Sequence, residues 1–236
     1  MKFNRRLKPF QAISFDLDDT LYHNAPIMVA TSKKMSRYFD DRLPRGTKGC
    51  YDHPYWFSFR QQVLQDKPLL RHDIGQMRLH CYYLGIKNLG FSEVQADEMA
   101  SQALQFFMIE RSNFKLPQAT HQLLTALKSR WPLVAITNGN VDTKKIGLHR
   151  YFTDTYQAGK DFQLKPAQDM FHKACLNLTI PTNKLLHVGD CGRSDVYGAN
   201  RSGCQSAWLS SYQVGQPITS LPTIELADIT DLYQLL

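Results

Sequence analysis

Three short apolar runs, far apart in the chain, each stop abruptly at polar residues. Ala12-Ile13-Ser14-Phe15 runs into Asp16-Leu17-Asp18-Asp19-Thr20. Leu133-Val134-Ala135-Ile136 runs into Thr137-Asn138-Gly139, and Leu185-Leu186-His187-Val188 into Gly189-Asp190. Short apolar runs without alternation are the pattern of strands buried on both faces. Helix-like stretches stand between them, at residues 118–130, 167–178 and 195–202, the last before a further apolar run, Ala207-Trp208-Leu209. Helix–strand alternation of this kind predicts an α/β fold with a parallel sheet covered by helices on both faces. Ligands of such sheets bind at the carboxyl ends of the strands. The spacing therefore predicts that Asp16/Asp18, Thr137/Asn138 and Asp190/Asp195 converge on one crevice.

Residues 24–113 differ in character. They are rich in aromatics, including Tyr38, Phe39, Tyr55, Trp56, Phe57, Tyr82, Tyr83, Phe106 and Phe107. Apolar residues recur at helical spacing, as in Val94, Met99, Ala103, Phe106 and Phe107, which predicts helices throughout. Pro44, Gly46, Gly49 and Pro54 predict a loop within them. The expected organisation is a core of residues 1–23 and 114–236 and a helical insertion at 24–113. An insertion leaving the sheet directly after the first strand is placed to act as a lid.

Hydrophobic residues make up 43% of the 236 residues, enough for a substantial core. No apolar run approaches the roughly 18 residues needed to cross a bilayer. The basic N-terminus lacks the apolar stretch of a secretory signal, so a cytoplasmic protein is expected. The cysteines, Cys50, Cys81, Cys175, Cys191 and Cys204, are odd in number and widely spaced, which argues against a disulfide framework or a zinc site. The net charge of +7 is scattered; it suits an anionic metabolite, and no nucleic-acid partner is expected.

Asp16 and Asp18 at a strand end cannot both be buried and charged without a cation. A hard divalent ion with oxygen ligands relieves this, and Mg2+ characteristically takes one or two carboxylates plus a substrate phosphate. Asp190 would add a further carboxylate. A carboxylate can also attack phosphorus, and a second acid nearby can protonate the leaving oxygen and then deprotonate water. Thr137, Asn138 and the Gly139 amide are candidate donors to phosphoryl oxygens. Lys165, followed by Pro166 at an expected helix start, is a candidate positive charge. Each feature alone is ordinary: Asp-x-Asp and Thr-Asn-Gly are common in turns, and a lysine before a helix is usually on the surface. All four in order, each at a strand end or helix start, are not. The motifs of other phosphate-binding folds are absent. An EF-hand is excluded because Leu21 and Ile27 stand where glycine and glutamate are needed. His187, inside an apolar run, reads as a core residue.

With these residues in view, the chain resembles the haloacid dehalogenase superfamily. Phe15 to Leu21 resembles its first motif, Thr137-Asn138 its second, Lys165-Pro166 its third, and Gly189-Asp190 through Asp195 its fourth. The resemblance implies a Rossmann-like three-layer α/β/α core with a parallel sheet and an inserted helical cap. It implies that Asp16 is the nucleophile and Asp18 the acid/base. It implies that Thr137 and Lys165 bind phosphoryl oxygens, and that Mg2+ is held by Asp16, the Asp18 carbonyl and Asp190. Asp195 would support the metal or Lys165. The second aspartate, Asp18, favours phosphate over halide chemistry. The segments 15–22, 71–74, 131–140 and 186–190 also resemble a bacterial phosphatase type that acts on 5-amino-6-(5-phospho-D-ribitylamino)uracil and FMN in riboflavin metabolism. Arg71, His72 and Arg78 are candidate substrate contacts. The alternatives are a sugar-phosphate or nucleotide phosphatase or phosphomutase of the same superfamily, or a non-catalytic protein that binds a phosphorylated metabolite.

Overall fold

The computed structural model describes residues 1–44 and 51–236. The loop expected around Gly46 and Gly49, together with Cys50, lies outside the described residues. Contacts divide the chain into two units. One comprises Met1–Asn24, Lys115–Gly139 and Thr143–Leu236; the other comprises Ala25–Phe114 and Asn140–Asp142.

The first unit is built on a sheet of β1 (Lys2–Phe3), β2 (Ala12–Phe15), β3 (Leu133–Thr137), β4 (Asp154–Gln157), β5 (Leu185–Gly189), β6 (Gln205–Leu209) and β7 (Ile224–Leu226). Their spatial order is β1-β7-β6-β5-β2-β3-β4. Every neighbouring pair is parallel, as expected, except the short edge pair of β1 with β7, which is antiparallel. The central strands β2, β3 and β5 are buried at every position, which explains their unbroken apolar sequence. Because β2 pairs with both β3 and β5, the polar residues after all three strands emerge at one edge of the sheet.

Helices cover this sheet. On Gln118–Lys128, Thr120, Leu123, Leu124 and Leu127 are buried, a single helical face. Asp169–Leu178 buries Met170, Phe171, Ala174 and Cys175 against Val134, Ile136 and Leu185. Full burial of a ring such as Phe171 stabilises by about 2 kcal/mol. The helix expected at 195–202 begins earlier, as a π-helical turn over Gly192–Tyr197 that continues into Gly198–Arg201. Such turns recur at functional sites because the extra residue re-aims a side chain, and here Asp195 sits on it.

The second unit contains α1 (Asn24–Asp40), α2 (His53–Ser58), α3 (Arg60–Asp66), α4 (Ile74–Asn88) and α5 (Glu93–Arg111). Ser92 and Gln95 cap α5 reciprocally. Gly90, at φ 91°, turns the chain between α4 and α5. The interior is made of rings: the Phe39 ring centre lies 4.1 Å from that of Trp56 and 5.1 Å from that of Tyr82. The buried face of α5 runs through Ala96, Ala100, Ala103 and Phe107, whereas Val94 is 78% exposed. Val94 was expected on the apolar face; the alanines take that place. Among the described residues no helix is long and apolar enough to cross a membrane.

Candidate active site

Asp16 follows β2 directly, and its amide donates to Val188 O at 2.9 Å, which ties it to the neighbouring strand. Its side chain is almost wholly buried. One oxygen each of Asp16, Asp190 and Asp195 lie within 4.8 Å of one another. The residues after β2 and β5, distant in sequence, therefore meet as expected.

Lys165, 3% exposed, reaches into this cluster. Its Nζ donates to Asp16 Oδ1 at 2.7 Å, to Asp195 Oδ1 at 2.6 Å and to Ile136 O at 2.7 Å. An ammonium has three protons, and all three are engaged. The lysine was expected at a helix start, but the helix begins at Asp169, three residues beyond Pro166. Asn138 fixes the segment instead. Its Oδ1 accepts from Lys165 N at 2.7 Å and its Nδ2 donates to Lys165 O at 3.1 Å. The Asn138 side chain thus brackets the lysine's main chain, where a contact with phosphoryl oxygens was expected. The Gly139 amide is likewise turned inward and donates to Thr137 Oγ1 at 3.0 Å. Thr137, accepting that bond, keeps its own O–H as a donor.

Asp195 is committed on both oxygens. Oδ1 accepts from Lys165 and lies 3.1 Å from His187 Nε2, and Oδ2 accepts from Cys191 N at 2.9 Å. His187 sits in the sheet interior with Nδ1 2.8 Å from Ser14 Oγ. A carboxylate only accepts, so Nε2 carries the proton toward Asp195 and Nδ1 accepts from the serine. Asp190 is half-buried, and Thr20 Oγ1 donates to its Oδ1 at 3.3 Å. Asp18 is half-buried beside the cluster, and Tyr22 Oη donates to its Oδ1 at 2.7 Å. Asp18 Oδ2 lies so near Gly139 that an added Cβ there would stand 2.4 Å from it; only glycine leaves that carboxylate room. Asp19 turns the chain at φ 55° while its Oδ1 accepts from Asn24 N at 2.8 Å.

The electrostatics follow from this packing. Burial pushes Asp16 up to about 7, against the pull of Lys165 and with help from Asp195 and Asp18. Burial pushes Asp190 up to about 8, with Asp195 and Asp16 adding repulsion. Burial opposes the charge of Asp195 as well, but Lys165 and His187 outweigh it and hold this carboxyl well below its usual range. Burial alone would lower Lys165; Asp16 and Asp195 more than reverse that and keep it charged. Burial holds His187 below the ordinary imidazole value despite its bond to Asp195. One fixed cation thus faces three carboxyl groups, and two of these resist ionising. A divalent cation fits such a donor set, since it removes the mutual repulsion of Asp16 and Asp190.

Sequence reasoning found the acidic residues and Lys165. It did not find the Tyr22 hydroxyl on Asp18, the Thr20 hydroxyl on Asp190 or the contact of His187 with Asp195. Thr20 stands within the first motif and Tyr22 directly after it, and a polar residue two and four places beyond Asp18 was the available signal. Of the candidate substrate contacts, Arg71 and His72 end a 3-10 turn at Pro68–His72, and the Arg78 guanidinium lies 3.8 Å over the ring of Phe107.

The sequence pattern of the haloacid dehalogenase-like hydrolases matches residues 10–203. Over 240 aligned residues, covering all of both chains, the protein is 34% identical to the 5-amino-6-(5-phospho-D-ribitylamino)uracil phosphatase YigB of Escherichia coli. It is 30% identical over 127 residues to the pyrimidine 5′-nucleotidase YjjG of Escherichia coli, covering 51% of this chain and 56% of that protein. Its fold is similar to that of a 2-haloacid dehalogenase from Pseudomonas syringae, with a TM-score of 0.85 at 23% identity over 96% of this chain and 97% of the other. A match across most of the chain, together with acidic loops meeting at the sheet's carboxyl edge, has one conclusion: the chain belongs to the haloacid dehalogenase-like hydrolases.

Proposed function

We propose that the protein is a Mg2+-dependent phosphatase that transfers the phosphoryl group of a small monoester to Asp16 and then to water. The observation that carries this reading is the cluster of Asp16, Asp190 and Asp195, one oxygen of each within 4.8 Å of the others, with the Lys165 ammonium bonded to Asp16 and Asp195.

Lys165 holds Asp16 Oδ1 and so fixes the plane of the carboxylate. Asp16 attacks phosphorus, a new P–O bond forms, and the bond to the leaving oxygen breaks. Asp18 gives that oxygen its proton. Asp18 then takes a proton from the water that attacks the aspartyl-phosphate, so phosphate leaves and Asp16 is restored. Tyr22, donating to Asp18 Oδ1, sets the orientation of the acid. Thr137 donates its hydroxyl proton to the phosphoryl oxygens. Asn138 acts on Lys165 and positions it. Asp16, the Asp18 carbonyl and Asp190 are the residues that would hold a Mg2+, and the ion would supply neutralisation of the charge on the transferring group. Asp195 keeps Lys165 charged and in place.

The substrate is 5-amino-6-(5-phospho-D-ribitylamino)uracil, on the strength of full-length similarity to a relative that acts on it. The helical segment 24–113 serves as the cap, since the chain enters and leaves it between the first motif and the rest of the sheet. Phosphate release from an aryl phosphate should require Mg2+ and should fall at least about a thousand-fold in Asp16→Asn. Normal turnover by that variant would end the reading. A kcat/KM comparison of ribityl, nucleotide and sugar phosphates tests the substrate; preference for pyrimidine nucleotides would replace it.

A further inference from the structure

The strand tip bearing Asp190 is gripped by a segment that the proposed mechanism does not use. Trp208, on β6, lies beside Gly189 in the sheet register, and its indole N–H donates to the main-chain carbonyl of Asp190 at 2.7 Å. The chain beyond β6 then returns to the same loop. Gly192 N donates to Gln216 O at 3.0 Å. A Cβ added to Gly192 would stand 2.6 Å from Ile218 Cα and 2.7 Å from Pro217 O, so two backbones touch here. A Cβ added to Gly215 would stand 2.6 Å from Asp190 O, 2.7 Å from Asp190 Oδ2 and 2.8 Å from Cys191 Cα. Two of those three atoms are main chain and cannot swing aside. Asp190 Oδ1 meets Thr20. The same segment is tied to the chain two residues past the first motif, because the Tyr212 ring stacks on that of His23 at 4.7 Å and 9°.

We infer that Trp208 and the segment around Gly215 form a positioning clamp that presents the Asp190 carboxylate to the divalent cation in one orientation. Trp208 fixes the carbonyl, Gly215 walls off Oδ2, and Thr20 meets Oδ1. Trp208 and Gly215 act on the metal through Asp190 and make no bond in the reaction; they are positioning residues. The clamp rests on the metal site proposed above. A ligand already confined to one rotamer loses little freedom when it binds, and that gain belongs to metal affinity, not to phosphoryl transfer.

The test titrates Gly215→Ala, Trp208→Phe and Asp190→Asn with Mn2+, followed by its paramagnetic resonance, beside the parent. The Mn2+ dissociation constant is expected to rise about ten-fold or more in Gly215→Ala and roughly five-fold in Trp208→Phe, the scale on which loss of a group orienting a metal ligand acts. At saturating metal, KM for an aryl phosphate should stay within about two-fold of the parent, a split that a merely loosened fold would not give. If Gly215→Ala does not fold, Trp208→Phe, which keeps an aromatic ring in place, decides alone. Parental Mn2+ affinity in the folded clamp variants, with binding lost in Asp190→Asn, overturns the clamp and leaves the metal site standing. Parental affinity in Asp190→Asn overturns the metal site and the clamp with it.

Discussion

The sheet unit and the helical unit solve burial in opposite ways. In the sheet unit, charged groups are drawn inside at the strand tips: Asp16, Lys165 and Asp195 are buried and held by one another. In the helical unit the interior is aromatic, with Phe39, Trp56, Tyr82 and Phe107 in one cluster. A ring cluster is stable without help. Three carboxyl groups around one ammonium are not, because each charge removed from water must be matched. The contrast teaches where reactivity and stability lie: the proposed chemistry rests on polar residues of the sheet unit whose burial costs stability, and the rings of the helical unit stabilise by packing.

The comparison can be broken at four points. Lys165→Met should have the largest effect. It leaves Asp16 and Asp195 without their shared cation, and urea unfolding should show a loss of roughly 4 kcal/mol together with loss of turnover. Unchanged stability would mean that the acids do not depend on the lysine. Trp56→Ala should cost roughly 3 kcal/mol through the cavity it leaves among the rings. Mn2+ affinity of the folded variant should nevertheless match the parent; if it collapsed, chemistry would not be confined to the sheet unit.

The third point is pH. Without metal, Asp16 and Asp190 keep their protons up to about 7 and about 8. A bound cation needs them ionised. Calorimetric Mg2+ affinity should therefore strengthen as pH rises, by up to roughly ten-fold per unit for each proton released, and level off above those values. The metal-free protein should show the opposite trend in stability. Between the ordinary carboxylate value and about 8 these two groups hold protons in the folded state that they lose in the unfolded chain, so their contribution to stability falls as pH rises across that window, most plainly above the histidine range. Flat profiles in both measurements would remove the buried-carboxylate account. The smallest effect is Tyr22→Phe, which deletes one bond to Asp18. A net loss of about 1 kcal/mol predicts a fall in kcat of roughly five-fold with stability little changed. No change in kcat would detach Tyr22 from the acid.

The same contrast governs what could be read from the sequence. The central strands β2, β3 and β5 were legible because burial on both faces demands continuous apolar residues. β4 was not: it is an edge strand reading Asp154-Thr155-Tyr156-Gln157, with only Tyr156 buried. β1 and β7 span two and three residues, too few to set a pattern. In α5 the helical period and most of its face were visible, through Met99, Ala103, Phe106 and Phe107, but Val94 faces solvent while Ala96 and Ala100 fill the interior. At the site, the acids were legible because carboxyl groups at buried strand ends are rare without a purpose. The bonds of Asn138 to Lys165 and of Tyr22 to Asp18 were not, because they depend on how far a side chain reaches across a turn. Residue type alone suggested a ligand contact for Asn138, where the geometry is a bracket around another catalytic candidate.

The sheet order has a consequence for the newborn chain. β2 leaves the ribosome early, yet one of its two partners is β5, which ends at Gly189. Until that residue has been translated, one flank of Ala12–Phe15 lacks its neighbour, and an open apolar strand edge is where aggregation begins. Residues 25–114 are complete long before then and make up all but Asn140–Asp142 of the helical unit. The early helices can thus condense during synthesis while the strand that leads into Asp16 awaits the last third of translation, when the residues of the fourth motif arrive.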